Sequence, residues 1–135
     1  MRTIEIQTPS REALVNLTAE VRAAVKGAGF TDGVVHLYSP HTTAGLVIQE
    51  GADPMVAEDL LRRLRELIPH HHPADRHLEG NSDAHLKTAL VGQSVTVPVR
   101  GGRLLLGTWQ QIFLAEFDGP RRRQVWVSFL AAAVV

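Results

Sequence analysis

The segments that most narrow the choice of fold are Trp109 to Phe117 and Gln124 to Ala133. In a strand, successive side chains point to opposite faces. The first segment then sets Trp109, Phe113 and Ala115 on one face and Ile112 and Leu114 on the other. The second sets Val125, Val127 and Phe129 against Trp126 and Leu130. Strands that are apolar on both faces must be covered twice. With only two long helical patterns in 135 residues, the second cover is expected to be another sheet or another subunit. The closing run Leu130-Ala-Ala-Ala-Val-Val135 points the same way, because an exposed apolar terminal strand invites aggregation. A packed oligomer resolves it.

The rest of the chain reads as one domain, residues 1–135, of about seven strands with two substantial helices. Thr3 to Gln7 alternates as a first strand. Ser10 is a candidate N-cap for a helix that stacks Leu14, Leu17, Val21 and Val25 on one face and stops at Gly27 and Gly29. Val34 to Tyr38 and Thr42 to Gln49 form a strand pair interrupted by Ser39-Pro40-His41. Asp53-Pro54 is a strong helix start, and Leu60, Leu64 and Leu67, widened by Leu61 and Ile68, form the stripe of that helix up to Pro69. Residues 69 to 81 read as a loop, followed by a short helix capped by Asn81 or Ser82 and ending at Gly92. Ser94 to Arg100, the Gly101-Gly102 turn and Leu104 to Leu106 make a hairpin.

Composition removes several classes of function. Lys and Arg number 14 against 14 Asp and Glu, so no overall positive field draws in a nucleic acid. The absence of Cys excludes disulfides, a thiolate nucleophile and Cys-ligated zinc, and suits a reducing cytoplasm. The N-terminus does not read as a signal peptide, and no run approaches the roughly 18 apolar residues of a membrane span. P-loop, G-x-G-x-x-G, G-x-S-x-G and H-E-x-x-H motifs are all lacking. A soluble cytoplasmic domain is expected.

The chemistry-bearing residues are mostly imidazoles, of which there are 7. His70-His71-His72 reads as a solvated loop, in which His70 and His72 share a direction if the backbone is extended. Alternation would aim His77, Glu79 and Asn81 one way, with His85 in the first turns of the next helix. Neutral imidazole and carboxylate suit zinc or a similar divalent ion, although His77-x7-His85 is not a standard zinc spacing. Helix capping and local hydrogen bonding explain the same residues equally well. His41 sits at a hydroxyl-rich strand interruption, which can aim a side chain into a cleft or simply cap a turn. Asp53 has a capping task, whereas Glu50 has none and is the better acid/base candidate. Thr108 and Gln110 are polar among apolar neighbours and need partners, and Trp109 is expected in the core. Arg121-Arg122-Arg123 reads by default as a solvated turn, though oriented guanidinium groups also recognise phosphate.

Pro40-His-Thr-Thr-Ala-Gly, Glu50-Gly-Ala-Asp-Pro54, His77-Leu-Glu-Gly-Asn81, Ala84-His-Leu-Lys87, Gly107-Thr-Trp-Gln110 and Glu116-Phe-Asp-Gly-Pro-Arg121 together resemble the YjbQ-like family. The resemblance implies an α+β fold with a seven-stranded β-sandwich, flanking helices and a homotrimer packed about a three-fold axis. The family carries the label of a secondary thiamine-phosphate synthase. Its implied reaction joins a pyrimidine methyl diphosphate to a thiazole phosphate and releases diphosphate. Carried over by motif, His41, Glu50, His77, Glu79, Asn81 and His85 form the polar site, with Thr108, Gln110 and Arg121 nearby. On this reading His41, His77 and His85 hold a divalent metal, zinc or magnesium. Arg121 and the metal grip a phosphate, Asn81, Thr108 and Gln110 contact the ligand, and Glu50 or Glu79 handles a proton. The alternative is a trimer that binds a metal or a small phosphorylated ligand without meaningful catalysis. Neither reading involves nucleic acid or membrane.

Overall fold

Two antiparallel sheets and three helices make up the computed structural model, which describes residues 1–133. The elements are β1 (Arg2–Gln7), β2 (Ala13–Asn16), α1 (Thr18–Ala28), β3 (Gly33–Tyr38), β4 (Ala44–Glu50), α2 (Pro54–Leu67), α3 (Ser82–Val91), β5 (Ser94–Arg100), β6 (Arg103–Leu104), β7 (Gln110–Glu116) and β8 (Arg122–Ala131). One sheet runs β1-β8-β3-β5-β6 and the other β2-β7-β4. Val134 and Val135, the end of the apolar run, lie outside the described residues. None of the described helices is long and apolar enough to cross a membrane.

The main core lies between the sheets. Ile6, Val35, Leu37, Val97, Val99, Val125 and Val127 come from one sheet, and Ala44, Leu46, Ile112 and Leu114 from the other. Leu17, Val21 and Val25 close it from the α1 side. A second cluster of Ala84, Ala115 and Phe117, with Leu14, Val47, Leu61, Leu64 and Val91 against it, places α2 and α3 on the outer face of the three-stranded sheet. β7 is therefore covered twice, by the other sheet through Ile112 and Leu114 and by helices through Ala115. Of the two covers expected beyond helices, it is the other sheet that lies on β7, with helices on its opposite face. β8 differs: Val125 and Val127 are buried, but Leu130 is exposed, and Trp126 stacks on the exposed Tyr38 at 5.9 Å between ring centroids.

The eight strands correct the expected seven, whereas the two long helices and the short one ending at Gly92 are all present, the first starting later than expected. The added strand is β2, which the helical pattern from Ser10 had absorbed. Leu14 faces Ala115 across the β2–β7 ladder instead of lying on a helix. The helix begins only at Thr18, whose N–H donates to Asn16 Oδ1 at 2.9 Å. A three-residue step from Leu14 to Leu17 fits a helix and a strand-to-helix turn equally, so four residues of pattern could not separate them. Trp109 lies outside β7 and is 62% exposed, so it is not core. Leu67 is 69% exposed, and the buried-side stripe of α2 runs through Leu61 and Leu64 instead.

Two local expectations hold. Asp53 Oδ1 accepts the Met55 N–H at 2.9 Å ahead of Pro54, and both Gly101 and Gly102 adopt positive φ, +56° and +75°, at the β5–β6 turn.

Candidate functional site

At the Ala44–Glu116 end of the β4–β7 ladder, the β3–β4 connection, the start of α3 and the β7–β8 turn meet around a cavity of about 390 Å³. His41, Thr42, Thr43, His77, Glu79, Asn81, His85, Asp118, Arg121 and Arg123 line it.

The β3–β4 connection is held from both sides. Ser39 Oγ donates to Ala44 O at 2.6 Å and accepts the His41 N–H at 3.3 Å. Gln93, just beyond α3, donates from Nε2 to Ser39 O at 2.7 Å and to His41 O at 2.8 Å. His41 Nε2 then accepts the Gln124 backbone N–H at 3.0 Å. In a neutral imidazole that bond leaves the proton on Nδ1, which can donate to a guest. Burial, and next the Arg123 guanidinium, push the His41 pKa below the ordinary imidazole value, so the ring is neutral near pH 7.

The floor is a buried ion pair. Arg123 Nε donates to Glu116 Oε2 at 2.7 Å, Nη2 reaches Oε1, and Nη2 also donates to Thr43 Oγ1 at 2.8 Å. Burial alone would raise the Glu116 carboxyl, but hydrogen bonds from Arg123 and the Asp118 N–H outweigh it and hold the pKa below the usual range. The arginine run is thus not a patch. Strand alternation turns Arg122 outward to Glu5 at 3.2 Å and Arg123 inward, while Arg121 reaches the cavity rim. Arg121 Nε and Nη2 donate to Asp118 O and Oδ2 at 2.9 and 3.1 Å, leaving Nη1 without a protein partner among the described residues.

α3 contributes its first turn. Asn81 does not cap the helix with its side chain; its Nδ2 donates to Asp118 Oδ2 at 2.7 Å. Its Oδ1 is buried and has no hydrogen-bond partner. A carboxylate facing Nδ2 fixes the amide orientation, so the orphan is an acceptor awaiting a donor or a cation. His77 and His85 meet edge to face at 5.1 Å between ring centroids, and His77 Nε2 stands 4.0 Å from Glu79 Oε2.

The predicted residues therefore divide. His41, His77, Glu79, Asn81, His85 and Arg121 come together. Glu50 pairs with Gln110 at the opposite end of the β4–β7 ladder, roughly 20 Å away at about 3.4 Å per residue. Thr108 and Trp109 are exposed beside that far end, where Gln110 Oε1 accepts the Gly107 N–H at 2.8 Å and Gly51 N–H donates to Trp109 O at 3.0 Å. His70 and His71 stack on each other at 4.0 Å, contrary to strict alternation, and His72 Nδ1 accepts the Ala74 N–H; the triplet does not line the cavity. Gln93, Glu116, Asp118 and Arg123 were missing from the expected site. Alternation in the Arg run could have found Arg123, but nothing in the sequence marked Gln93.

A divalent ion suits the chemistry of His77, His85 and the orphaned Asn81 oxygen. Among the described residues, no three His, Cys, Asp or Glu side chains are already grouped around one ion position. His41 would ligate through Nε2 only by giving up its bond to Gln124.

An antiparallel α+β domain of two packed sheets and a helical layer, with an imidazole-rich polar hollow at one end of its smaller sheet, defines the class. The chain belongs to the family described as UPF0047 protein YjbQ-like, which matches residues 2–132. It is 47% identical to the UPF0047 protein YugU of Bacillus subtilis over 96% of this chain and 98% of that protein. Against UPF0047 protein MJ1081 of Methanocaldococcus jannaschii the identity is 49%, over 93% of this chain and 91% of the relative. Among solved structures, the conserved hypothetical protein TT1486 of Thermus thermophilus matches with a TM-score of 0.90 and 57% identity, over 96% of this chain and all 100% of the other. A YjbQ/UPF0047 protein of Clostridium acetobutylicum matches with a TM-score of 0.94 and 40% identity, over 96% and 100%.

Proposed function

We propose that this chain is a cytoplasmic, metal-assisted transferase for small phosphorylated substrates, with accessory thiamine-phosphate synthesis as its reaction. The observation that carries the reading is a single cavity that gathers three imidazoles, a partly free Arg121 and the buried, unpartnered Asn81 oxygen. His77, His85 and Asn81 would hold a divalent cation, with zinc suited to imidazole better than magnesium. Such an ion, when bound, would draw charge from a diphosphate leaving group. Arg121 Nη1 and His41 Nδ1 donate to phosphate oxygens, and Arg123, spent on Glu116, fixes the floor. Glu79 handles a proton at the rim. We further propose a homotrimer about a three-fold axis, in which a neighbour brings Glu50, Thr108 and Gln110 to the cavity that its own chain keeps them from. The exposed Trp109 and Leu130 support such contacts.

One observation favours a binder without catalysis. Within one protomer, Glu50 stands at the far end of the ladder, the Glu79 side chain is 75% exposed, and the half-buried Asp118 and buried Glu116 carboxylates are engaged by Asn81, Arg121 and Arg123, which leaves no desolvated carboxylate free in the cavity. Purified protein given a pyrimidine methyl diphosphate and a thiazole phosphate distinguishes the two. Zinc- or magnesium-dependent diphosphate release, lost in His77→Ala/His85→Ala, supports the enzyme. Calorimetric binding of either phosphate without turnover supports the binder. Unchanged metal content and ligand binding in the double variant overturn both.

A further inference from the structure

Away from the imidazole cavity, the C-terminal end of α1 and the β5–β6 hairpin enclose a larger hollow of about 680 Å³. Its floor is apolar: Val25, Phe30 and Leu104 lie at the margin of the main core, and Phe30 leans on Phe129 at 5.1 Å between centroids. The backbone builds its walls. Gly29, at φ +63°, ends α1 with its N–H on Lys26 O, and the Phe30 N–H returns to Val25 O at 3.2 Å, which turns the Phe30 ring toward the core. Gly102 donates its N–H to Thr31 O at 3.0 Å and fastens the hairpin to the same loop.

The rim is cationic. Arg22 and Lys26 lie one helical turn apart and Arg103 faces them from β6; all three line the hollow. Arg100 is paired in register with Arg103. Of the ten cations elsewhere, only Arg2 and Arg76 lack an ion pair among the described residues; Arg11, Arg62, Arg63, Arg65, Lys87, Arg121, Arg122 and Arg123 all stand in ion pairs. Arg22, Lys26, Arg100 and Arg103 do not, among the described residues. No acid lines the hollow, and Asp32 on the adjoining turn accepts the Gly101 N–H at 3.4 Å. Gathering unpaired cations costs self-repulsion in a chain of zero net charge, and an anion over them relieves it. A flat polyanion would leave the apolar floor in water, whereas a compact molecule with an apolar body covers it.

We propose that this hollow binds a small amphiphile: an anionic carboxylate or phosphate head held by Arg22, Lys26 and Arg103, with its apolar body on Val25, Phe30 and Leu104. Calorimetric titration with laurate and with dodecyl phosphate, below micellar concentrations, tests it. One-to-one binding of either is expected, and the two arms say which head is preferred. Arg22→Gln/Lys26→Gln/Arg103→Gln should weaken binding about tenfold or more while the thermal melt stays unchanged, because these side chains are exposed. Leu104→Glu should weaken it as well, and His77→Ala/His85→Ala should not. The proposal is overturned if neither amphiphile binds, if dodecanol binds as well as laurate, or if the triple variant binds undiminished. Equal competition by inorganic phosphate or by an oligonucleotide overturns it too.

Discussion

Lys87 lies fully buried, with Nζ 2.8 Å from both Glu12 Oε2 and Asp83 Oδ2. Arg65 reaches Glu12 at 2.7 Å and Arg11 reaches Asp83 at 3.1 Å from the outside. This network ties the segment before β2 to α2 and α3. Removing the cation leaves Glu12 Oε2 without its partner and Asp83 with Arg11 alone, so Lys87→Met should cost about 3 kcal/mol in urea denaturation. Burial works to raise the carboxyls of Glu12, Asp83 and Glu116, but their cationic partners prevail and hold all three pKa values down. The folded state then binds fewer protons than the unfolded one, so this stability is whole above the ordinary carboxylate values of about 4 to 4.5. It drains away as pH falls from there toward the lower folded values. The deficit of Lys87→Met should therefore shrink between about pH 5 and pH 2. At this scale the imidazoles were legible, because His is uncommon and its motifs are specific. Lys87 and Gln93 were not, since a buried Lys or Gln looks like a surface residue until its partners arrive from distant parts of the chain.

Among elements, α3 matters most to the cavity, because it carries His85, follows directly on Asn81 and is located by β4. Leu46 N–H donates to Gly92 O at 3.1 Å, and a Cβ on Gly45 would fall 2.4 Å from that same oxygen. Backbone stands on both sides, so Gly45→Ala should destabilise the fold by about 1–3 kcal/mol and displace α3. A fall in ligand affinity larger than the melting shift explains would mark the displacement. Asp53→Ala, by contrast, should cost about 1 kcal/mol through its cap and leave the cavity untouched, as calorimetric melting and binding can show. Element type was readable where a pattern ran long or ended in decisive chemistry, as at Asp53-Pro54 and Gly101-Gly102. It failed at β2, where four residues carry no period of their own and only the β7 ladder defines the strand.

At the scale of the molecule, one sheet holds the motif residues apart. If neighbouring protomers complete each other, Glu50→Ala and His77→Ala trimers should each be inactive, and subunit exchange between them should restore part of the activity. No recovery after verified exchange would show that the two ends act separately. The sequence carried the double covering of β7 but not its source, because periodicity says that a face is buried without saying what buries it. That shared strand also ties the layers' fates together. Neither the larger sheet nor the helical layer can detach without wetting one side of Ile112 to Ala115. Loss of either layer alone is thus closed as a low-cost route, and the amides of those residues should exchange with deuterium only when the whole domain opens.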